Sequence, residues 1–349
     1  MTMFSKTSVL RIGAVILAGA ALFGCRKDTP RTAAAAPGRP ATDPTAVWRI
    51  LFVDSYHEGY PWNEGLLSGA KAVLNEHTTA GRVELEVIRM DAKRNTSEVF
   101  LQEAARRAAV YIDMWQPDSV IAADDAASKY LISPYYRDGQ LPVIFCGVNW
   151  DASPYGFPCA NVTGILEISL IPSLLDTMRA HARGPRVGIL GADNLSNRKE
   201  AEHYHRRFGL QTTREVFVTS MAQWKRAYIE LQQQVDMLIL APPSFITSDT
   251  DKAQARAFIM EHTTIPTGSV EDWIAPYSLV CYAKDAAELG AWAARAALEI
   301  RDGRAPSDIP VATNQKARVF LNMPLARKLN VRFPAELVMR ATLIEEGQP

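Results

Sequence analysis

The stretch Arg49-Ile50-Leu51-Phe52-Val53-Asp54-Ser55-Tyr56-His57 decides how this chain is expected to fold. Its short apolar run contains β-branched and aromatic residues and predicts a buried strand. The polar residues that follow directly predict that the strand ends near Asp54. The sequence therefore predicts a buried strand whose carboxyl end carries polar and aromatic side chains.

The same pattern repeats along the chain, with apolar strands and amphipathic helices in alternation. Strands are predicted at 49–53, 83–88, 119–123, 143–146, 187–190, 215–218 and 237–240, and helices at 64–76, 97–115, 196–208, 221–233, 252–261 and 286–301. Alternating strands and helices form βαβ units with parallel sheets. The pattern stops and restarts around residues 149–171, so the fold class is α/β, with two Rossmann-like lobes.

Composition agrees with a two-lobed globular protein. The 349 residues are 48% hydrophobic and 22% charged, and 38 basic residues balance 38 acidic ones. A chain of this length favours two units of about 150 residues. The balanced charge gives no sign of a nucleic-acid partner, which would favour a basic surface.

The amino terminus has the pattern of an export signal. Basic residues, an apolar run at 12–23 and Leu22-Phe23-Gly24-Cys25 resemble the bacterial lipobox, in which the cysteine is lipidated. We expect a signal peptide at 1–24, lipidation of Cys25 and a flexible tether at 25–46 rich in Ala, Pro and Thr. A plain secretory signal and an inner-membrane anchor are the alternatives. The lipobox places the protein in the cell envelope, on the periplasmic side of a bacterial membrane.

The remaining cysteines leave the redox chemistry open. Cys146, Cys159 and Cys281 are an odd number in an oxidising compartment. They fit either one disulfide, with Cys146 and Cys159 close in sequence, or three buried thiols.

Ligand-binding residues are expected beyond the carboxyl ends of the parallel strands. Two rims of polar and aromatic residues that face each other would form a cleft for a small ligand. The candidates are Ser55, Tyr56, His57, Trp62, Asp124, Asp125 and Asn149 in the first half, and Asp193, Ser196, Asn197, Ser244, Glu271 and Trp273 in the second half.

Five segments resemble one bacterial protein family. They are Val53–Trp62, Pro142–Asn149, Asn161–Ile165, Ile309–Asn314 and Leu325–Pro334. The family is the uncharacterised ABC-transporter substrate-binding proteins, with the periplasmic-binding-protein type I fold. The resemblance covers about Trp48 to Leu343.

The resemblance implies two lobes joined by a hinge of three chain crossings. Matching segments place the crossings near 146–161, 266–278 and 306–313. Lobe I would then contain 47–148 and about 279–308, and lobe II about 160–278 and 309–349. Lobes of this kind close around a ligand by hinge motion.

The resemblance also implies a role and partners. The protein would be a monomer that captures a small polar or aromatic molecule and delivers it to an ABC permease. A ligand-sensing lipoprotein that reports to a membrane sensor kinase is the alternative, since similar loops occur in signalling proteins.

One departure from the family concerns Asp124 and Asp125. Amino-acid-binding relatives carry a small hydroxyl-bearing loop where this chain has Ala123-Asp124-Asp125-Ala126. Two carboxylates would repel a ligand carboxylate, by about 4 kcal/mol at 4 Å and an effective dielectric constant near 20. If either aspartate faces the cleft, the ligand offers donors or positive charge; alternatively, the pair caps the next helix.

Catalytic, cofactor and metal roles have no support in the sequence. There is no Gly-x-Ser-x-Gly elbow and no Walker A loop. His203 and His205 lie two residues apart on a predicted helix and point to different faces. His57 has no partner at metal-ligand spacing. We therefore expect neither an enzyme nor a metal or cofactor site.

Overall fold

The computed structural model of the protein describes residues 46–80 and 82–345. The predicted signal peptide, Cys25 and nearly all of the predicted tether lie outside the described residues.

The described residues form thirteen strands. They are β1 (Trp48–Asp54), β2 (Val83–Arg89), β3 (Ser119–Ala123), β4 (Val143–Asn149), β5 (Val162–Glu167), β6 (Val187–Ala192), β7 (Thr212–Val218), β8 (Met237–Leu240), β9 (Thr267–Ser269), β10 (Val280–Lys284), β11 (Ala312–Thr313), β12 (Ala317–Asn322) and β13 (Ala341–Ile344).

The same residues form eleven α-helices. They are α1 (Pro61–Thr79), α2 (Glu98–Trp115), α3 (Asp124–Ala126), α4 (Ser133–Tyr135), α5 (Ile171–Arg179), α6 (Leu195–Phe208), α7 (Met221–Leu231), α8 (Asp249–His262), α9 (Ala286–Arg301), α10 (Met323–Lys328) and α11 (Ala335–Arg340). A π-helical segment, Ala127–Ile132, joins α3 to α4 without a break.

The described strands make two sheets. The first sheet has the order β11-β5-β4-β3-β1-β2, and its strands pair in parallel throughout. The second sheet has the order β13-β12-β10-β9-β8-β6-β7 and is parallel except for the β10–β12 pair. This confirms the predicted α/β class with two Rossmann-like lobes.

Helices cover both faces of each sheet. In the first lobe, α1 and α9 pack against one face and α2 against the other. Two glycines let α1 and α9 touch through their backbones: a Cβ on Gly69 would lie 2.0 Å from the carbonyl oxygen of Ala287, and one on Gly290 would lie 1.8 Å from that of Leu66. In the second lobe, α5 and α6 cover one face, and α7 and α8 cover the other.

The chain crosses between the sheets three times, as the fold class predicts, but at other points than the resemblance implied. Residues 162–167 form β5 of the first sheet, so the first crossing follows Glu167 rather than lying within 146–161. β10 belongs to the second sheet, so the second crossing follows Lys284 rather than lying within 266–278. β11 pairs with β5, so the third crossing lies between Thr313 and Ala317 rather than within 306–313. The apolar pattern identifies a strand but not the sheet it joins, and this is why the boundaries moved.

Candidate functional site

The carboxyl ends of the two sheets meet at one ion pair. The ammonium nitrogen of Lys284, the last residue of β10, lies 2.7 Å from a carboxylate oxygen of Glu167, the last residue of β5. Both side chains are more than 90% buried. Each residue ends a strand directly before a chain crossing. The pair therefore links the two lobes at the hinge.

A second carboxylate shares the same lysine. Glu271, in the loop after β9, lies 3.2 Å from Lys284 Nζ. Burial alone would lower the pKa of Lys284, but the charges of Glu167, Glu271 and Glu200 hold that pKa well above its usual value. Burial raises the pKa of Glu167 against the opposing effect of Lys284. Lys284 is therefore charged, and its single ammonium group forms ion pairs with both Glu167 and Glu271.

The first-lobe rim, defined here as Asp54 to Tyr56, Asp124, Asp125 and Asn149, is held by an unusual backbone. Asp124 follows β3 directly and has φ = +69°, the left-handed region that Asp tolerates better than most residues. It lies against Gly147, whose φ is +77°. A Cβ on Gly147 would lie 3.1 Å from Asp124 Oδ1, so this glycine makes room for the carboxyl group.

Asp124 is buried and only partly satisfied. It is 2% exposed, and its Oδ2 has no hydrogen-bond partner among the described residues. Burial raises the pKa of Asp124 well above its usual value, and the charges of Glu167, Asp125 and Asp54 raise it further. A hydrogen-bond donor or a cation beside such a carboxyl group would favour its charged form.

Asp54, at the end of the neighbouring strand β1, is better satisfied. Its Oδ1 accepts from the backbone N–H of Tyr56 at 2.8 Å and from the side-chain amide of Asn63. Arg89 lies 3.6 Å from its other oxygen. Burial still raises the pKa of Asp54. The first-lobe rim thus has two buried carboxyl groups with raised pKa values on adjacent strands.

Tyr56 forms the aromatic part of the first-lobe rim. Burial raises the pKa of its phenol, and the charges of Asp124, Asp125 and Glu167 raise it further, so the ring lies within the field of all three carboxylates. Its ring meets that of Tyr60 edge-on at 4.9 Å. The ammonium group of Lys93 lies 5.0 Å from the Tyr56 ring and 5.1 Å from the Tyr60 ring. These rings therefore already accept a cation.

Asp125 and Asn149, both predicted ligand contacts, lie together. The Asn149 side-chain amide donates to Asp125 Oδ2 at 3.2 Å, and the Tyr155 hydroxyl donates to Asp125 Oδ1 at 2.7 Å. The structure thus brings Tyr56, Asp124, Asp125 and Asn149 to one edge of the first sheet, as the sequence predicts.

The other first-lobe candidates are placed differently. The hydroxyl of Ser55 donates to the Ala123 carbonyl at 2.5 Å and accepts from the Ala127 N–H at 2.8 Å, so it ties two strand ends together. His57 Nδ1 lies 3.8 Å from Asp91. Trp62 packs against the core under α1.

The second-lobe rim, defined here as Asp193 to Asn197, Ser244 and Trp273, has mostly satisfied polar groups. Asp193 pairs with Arg198 at 2.8 Å, and this hydrogen-bonded pair lowers the pKa of Asp193. Asn197 is buried and donates to the carbonyls of Ala192 and Pro242, both at 2.8 Å. Ser196 and Ser244 are exposed, and Trp273 is 49% exposed.

Trp150 is a second link between the two lobes. It follows β4 with φ = +61°, yet its side chain packs in the core of the second lobe. Its ring stacks on His203 at 4.7 Å, and its Nε1 donates to Glu200 Oε1 at 2.7 Å. Trp150 therefore packs at the hinge.

The sequence candidates omitted Asn63, Glu167 and Lys284. Asn63 directly precedes the predicted helix at 64–76, where a polar residue is ordinary. Glu167 and Lys284 each end an apolar run with a single charge, and that was the available signal. This signal could not identify the pair, because the sequence did not show where the chain crosses between the lobes.

The cysteines and possible metal ligands complete the description. Cys146 and Cys281 are buried and Cys159 is half-buried, and all three are free thiols. Burial raises the pKa of Cys146.

Within residues 46–80 and 82–345, no group of three or more His, Cys, Asp or Glu side chains is arranged to hold a metal ion. The same residues include no helix that is both long and apolar enough to span a bilayer.

Solved structures show which class of protein has this architecture. A ligand-free, open substrate-binding protein with adhesive properties from Clostridium difficile, CD0873, matches with a TM-score of 0.66 at 16% identity, over 86% of this chain and 99% of that chain. An ABC domain in complex with L-Trp from Streptococcus pneumonia matches with a TM-score of 0.57 at 16% identity, over 86% and 100%. At this identity the matches show the fold, which is the periplasmic-binding-protein type I fold.

The family follows from the sequence itself. The family model described as ABC transporter substrate binding protein matches residues 86–344. The chain belongs to this family of solute-binding proteins, which is typically extracytoplasmic. No curated protein matches the chain.

Proposed function

We propose that this protein is a lipid-anchored solute-binding protein that captures a small polar or aromatic molecule between its lobes and delivers it to an ABC permease. The observation that carries the proposal is the first-lobe rim. Asp124 and Tyr56 lie together there at the strand ends, and Asp124 has a buried oxygen without a partner. An unsatisfied polar group beside an aromatic ring, at the edge where this fold class binds ligands, supports a binding site.

A binding role also agrees with Ser55. Ser55 is the only serine or threonine in the first-lobe rim, so a nucleophilic hydroxyl of that kind there would be its own. Both of its hydrogen bonds go to the backbone, to the Ala123 carbonyl and from the Ala127 N–H. A hydroxyl used in this way supports the strand ends rather than chemistry, and we infer that the protein is not an enzyme.

Ligand capture is tested by a thermal-shift screen of amino acids, nucleosides, amines, polyamines and sugars. A ligand at 100 times its dissociation constant stabilises the native state by about 2.7 kcal/mol, which gives a readable shift. Small-angle scattering with the ligand should show a smaller radius of gyration, because the lobes close. If no solute stabilises the protein, and none is detected with it by native mass spectrometry, the proposal fails.

The anchor and the permease need separate tests. Replacement of Cys25 by Ala should abolish labelling with radioactive palmitate and move the protein from the membrane fraction to the soluble fraction. Deletion of the gene should reduce uptake of the solute found in the screen. Unchanged uptake together with a lost signalling response would instead favour the sensor role.

A further inference from the structure

The interlobe site has more carboxyl groups than cations. Five carboxyl groups lie at the strand ends, namely those of Asp54, Asp124, Asp125, Glu167 and Glu271. Lys284 is shared by the last two of these. Arg89 lies 3.6 Å from Asp54 and is itself shared with Glu64, at 3.5 Å. Asp124 and Asp125 have no ion pair with any described residue, and every ionised carboxylate in this group would repel a ligand carboxylate.

Two buried acceptors at the first-lobe rim lack donors. Asp124 Oδ2 and Asn63 Oδ1 have no hydrogen-bond partner among the described residues, and both side chains are at least 98% buried. Asn63 donates its amide N–H to Asp54, and a hydrogen bond with Asn63 also lowers the pKa of Asp124 against the larger effect of burial. Buried polar groups normally have partners. A group that donates hydrogen bonds would satisfy both oxygens.

The surroundings suit a cation with an aromatic body. Tyr56 lies beside these carboxylates, and the ammonium group of Lys93 already rests over the Tyr56 and Tyr60 rings. At the second-lobe rim, Leu195 is 69% exposed and Trp273 is 49% exposed, at the ends of β6 and β9. Large apolar side chains left in water at a cleft edge favour an apolar ligand surface.

We propose that the ligand is an aromatic primary amine without a carboxylate, and that its ammonium group binds at the first-lobe rim to Asp124. This inference rests on the proposed function, because it assumes that a solute enters the cleft. Tyr56 contacts the ligand beside its ammonium group, and Trp273 covers the aromatic body from the second lobe. Each amine N–H has an acceptor in Asp124, Asn63 or Asp125. An amino acid with the same ring would bring its carboxylate close to these groups and bind more weakly.

The test is calorimetric titration of the full-length protein in mild detergent with two sets of ring-matched compounds. One set is tryptamine, L-tryptophan and indole-3-propionate; the other is tyramine, L-tyrosine and 3-(4-hydroxyphenyl)propionate. We expect at least one amine to bind at least tenfold more tightly than its amino acid, and neither propionate to bind. The substitution Asp124→Asn should weaken amine binding at least tenfold. The substitution Asp176→Asn, which removes a carboxylate from an exposed pair with Arg179, should leave binding within twofold.

The outcomes separate this inference from the proposed function. If an amino acid or a propionate binds as tightly as its amine, the inference is overturned and solute capture stands. If neither amine binds, the inference is also overturned, while a solute found in the thermal-shift screen would leave the proposed function intact. Should Asp124→Asn fail to fold, the ring-matched series on the wild-type protein still decides.

Discussion

The two rims of the cleft are built in opposite ways. In the first-lobe rim, Asp124 is buried, has a positive φ, and has a raised pKa and an unpaired oxygen. In the second-lobe rim, Asp193 pairs with Arg198 and has a lowered pKa, and Asn197 donates to two carbonyls. Backbone strain and unsatisfied polar groups are concentrated at functional sites. The contrast supports our proposal that the first lobe carries the recognition chemistry and that the second lobe closes over it.

The largest effect on stability is expected at the Glu167–Lys284 ion pair between the lobes. The substitution Lys284→Met leaves Glu167 and Glu271 without their shared ammonium group inside the protein. Removal of one partner of a buried pair destabilises a protein by about 3–5 kcal/mol. We expect a loss of that size in the free energy of unfolding, measured by urea denaturation at pH 7.

A matched control is Lys252→Met. Lys252 pairs with Asp249 at 3.0 Å on the surface of α8, and both side chains are exposed. Exposed pairs contribute at most about 1 kcal/mol. Equal losses for Lys284→Met and Lys252→Met would show that the interlobe pair has no special role.

The second prediction uses the pKa difference between the rims. Because the pKa of Asp124 is raised, the folded protein binds its proton more tightly than the unfolded chain does. Stability from this group is therefore highest at low pH, and it is lost as pH rises from the unfolded pKa near 3.8 to the folded pKa. The slope is at most about 1.4 kcal/mol per pH unit. Since Asn does not titrate, the variant Asp124→Asn should gain stability relative to wild type as pH rises over that window.

Asp193→Asn should show the reverse sign. The lowered pKa of Asp193 gives a contribution that is present above its unfolded pKa and is lost as pH falls through the folded pKa. Urea denaturation at several pH values compares the two variants with wild type. Parallel stability curves for Asp124→Asn and wild type would contradict the raised pKa of Asp124.

The third prediction concerns the amide that organises the second-lobe rim. Asn197→Ala removes the two hydrogen bonds to the carbonyls of Ala192 and Pro242. Each lost bond of this kind lowers stability by about 0.5–1.5 kcal/mol. We expect a loss of about 1–3 kcal/mol in the free energy of unfolding, measured by urea denaturation, and an unchanged ligand affinity, measured by calorimetry. A large loss of affinity without a loss of stability would place Asn197 against the ligand instead.

The sequence predicted the first-lobe rim better than the hinge. Tyr56, Asp124, Asp125 and Asn149 each follow an apolar strand, and parallel strands bring their carboxyl ends together. The hinge depends on which sheet each strand joins, and β5 and β10 have the same apolar pattern whichever sheet they enter. The only local signal of the Glu167–Lys284 pair was therefore the single charge that ends each apolar run, and this signal does not show that the two residues meet. Ser55 and Asn197 were candidates because they are polar and follow strands. In the structure their side chains form hydrogen bonds with backbone groups instead.

The smallest effect is expected at Trp273, a large aromatic side chain of the second-lobe rim that is exposed to solvent. Its side chain is half exposed, so Trp273→Ala creates little new cavity and should leave the free energy of unfolding nearly unchanged. If Trp273 covers an aromatic ligand on closure, its loss removes an aromatic contact of about 0.5–1.5 kcal/mol, or about two- to tenfold in affinity. Titration of the ligand into wild type and Trp273→Ala measures this difference, with Trp273→Phe expected to recover most of it. Unchanged affinity in Trp273→Ala would limit recognition to the first-lobe rim and would leave the second lobe to exclude water.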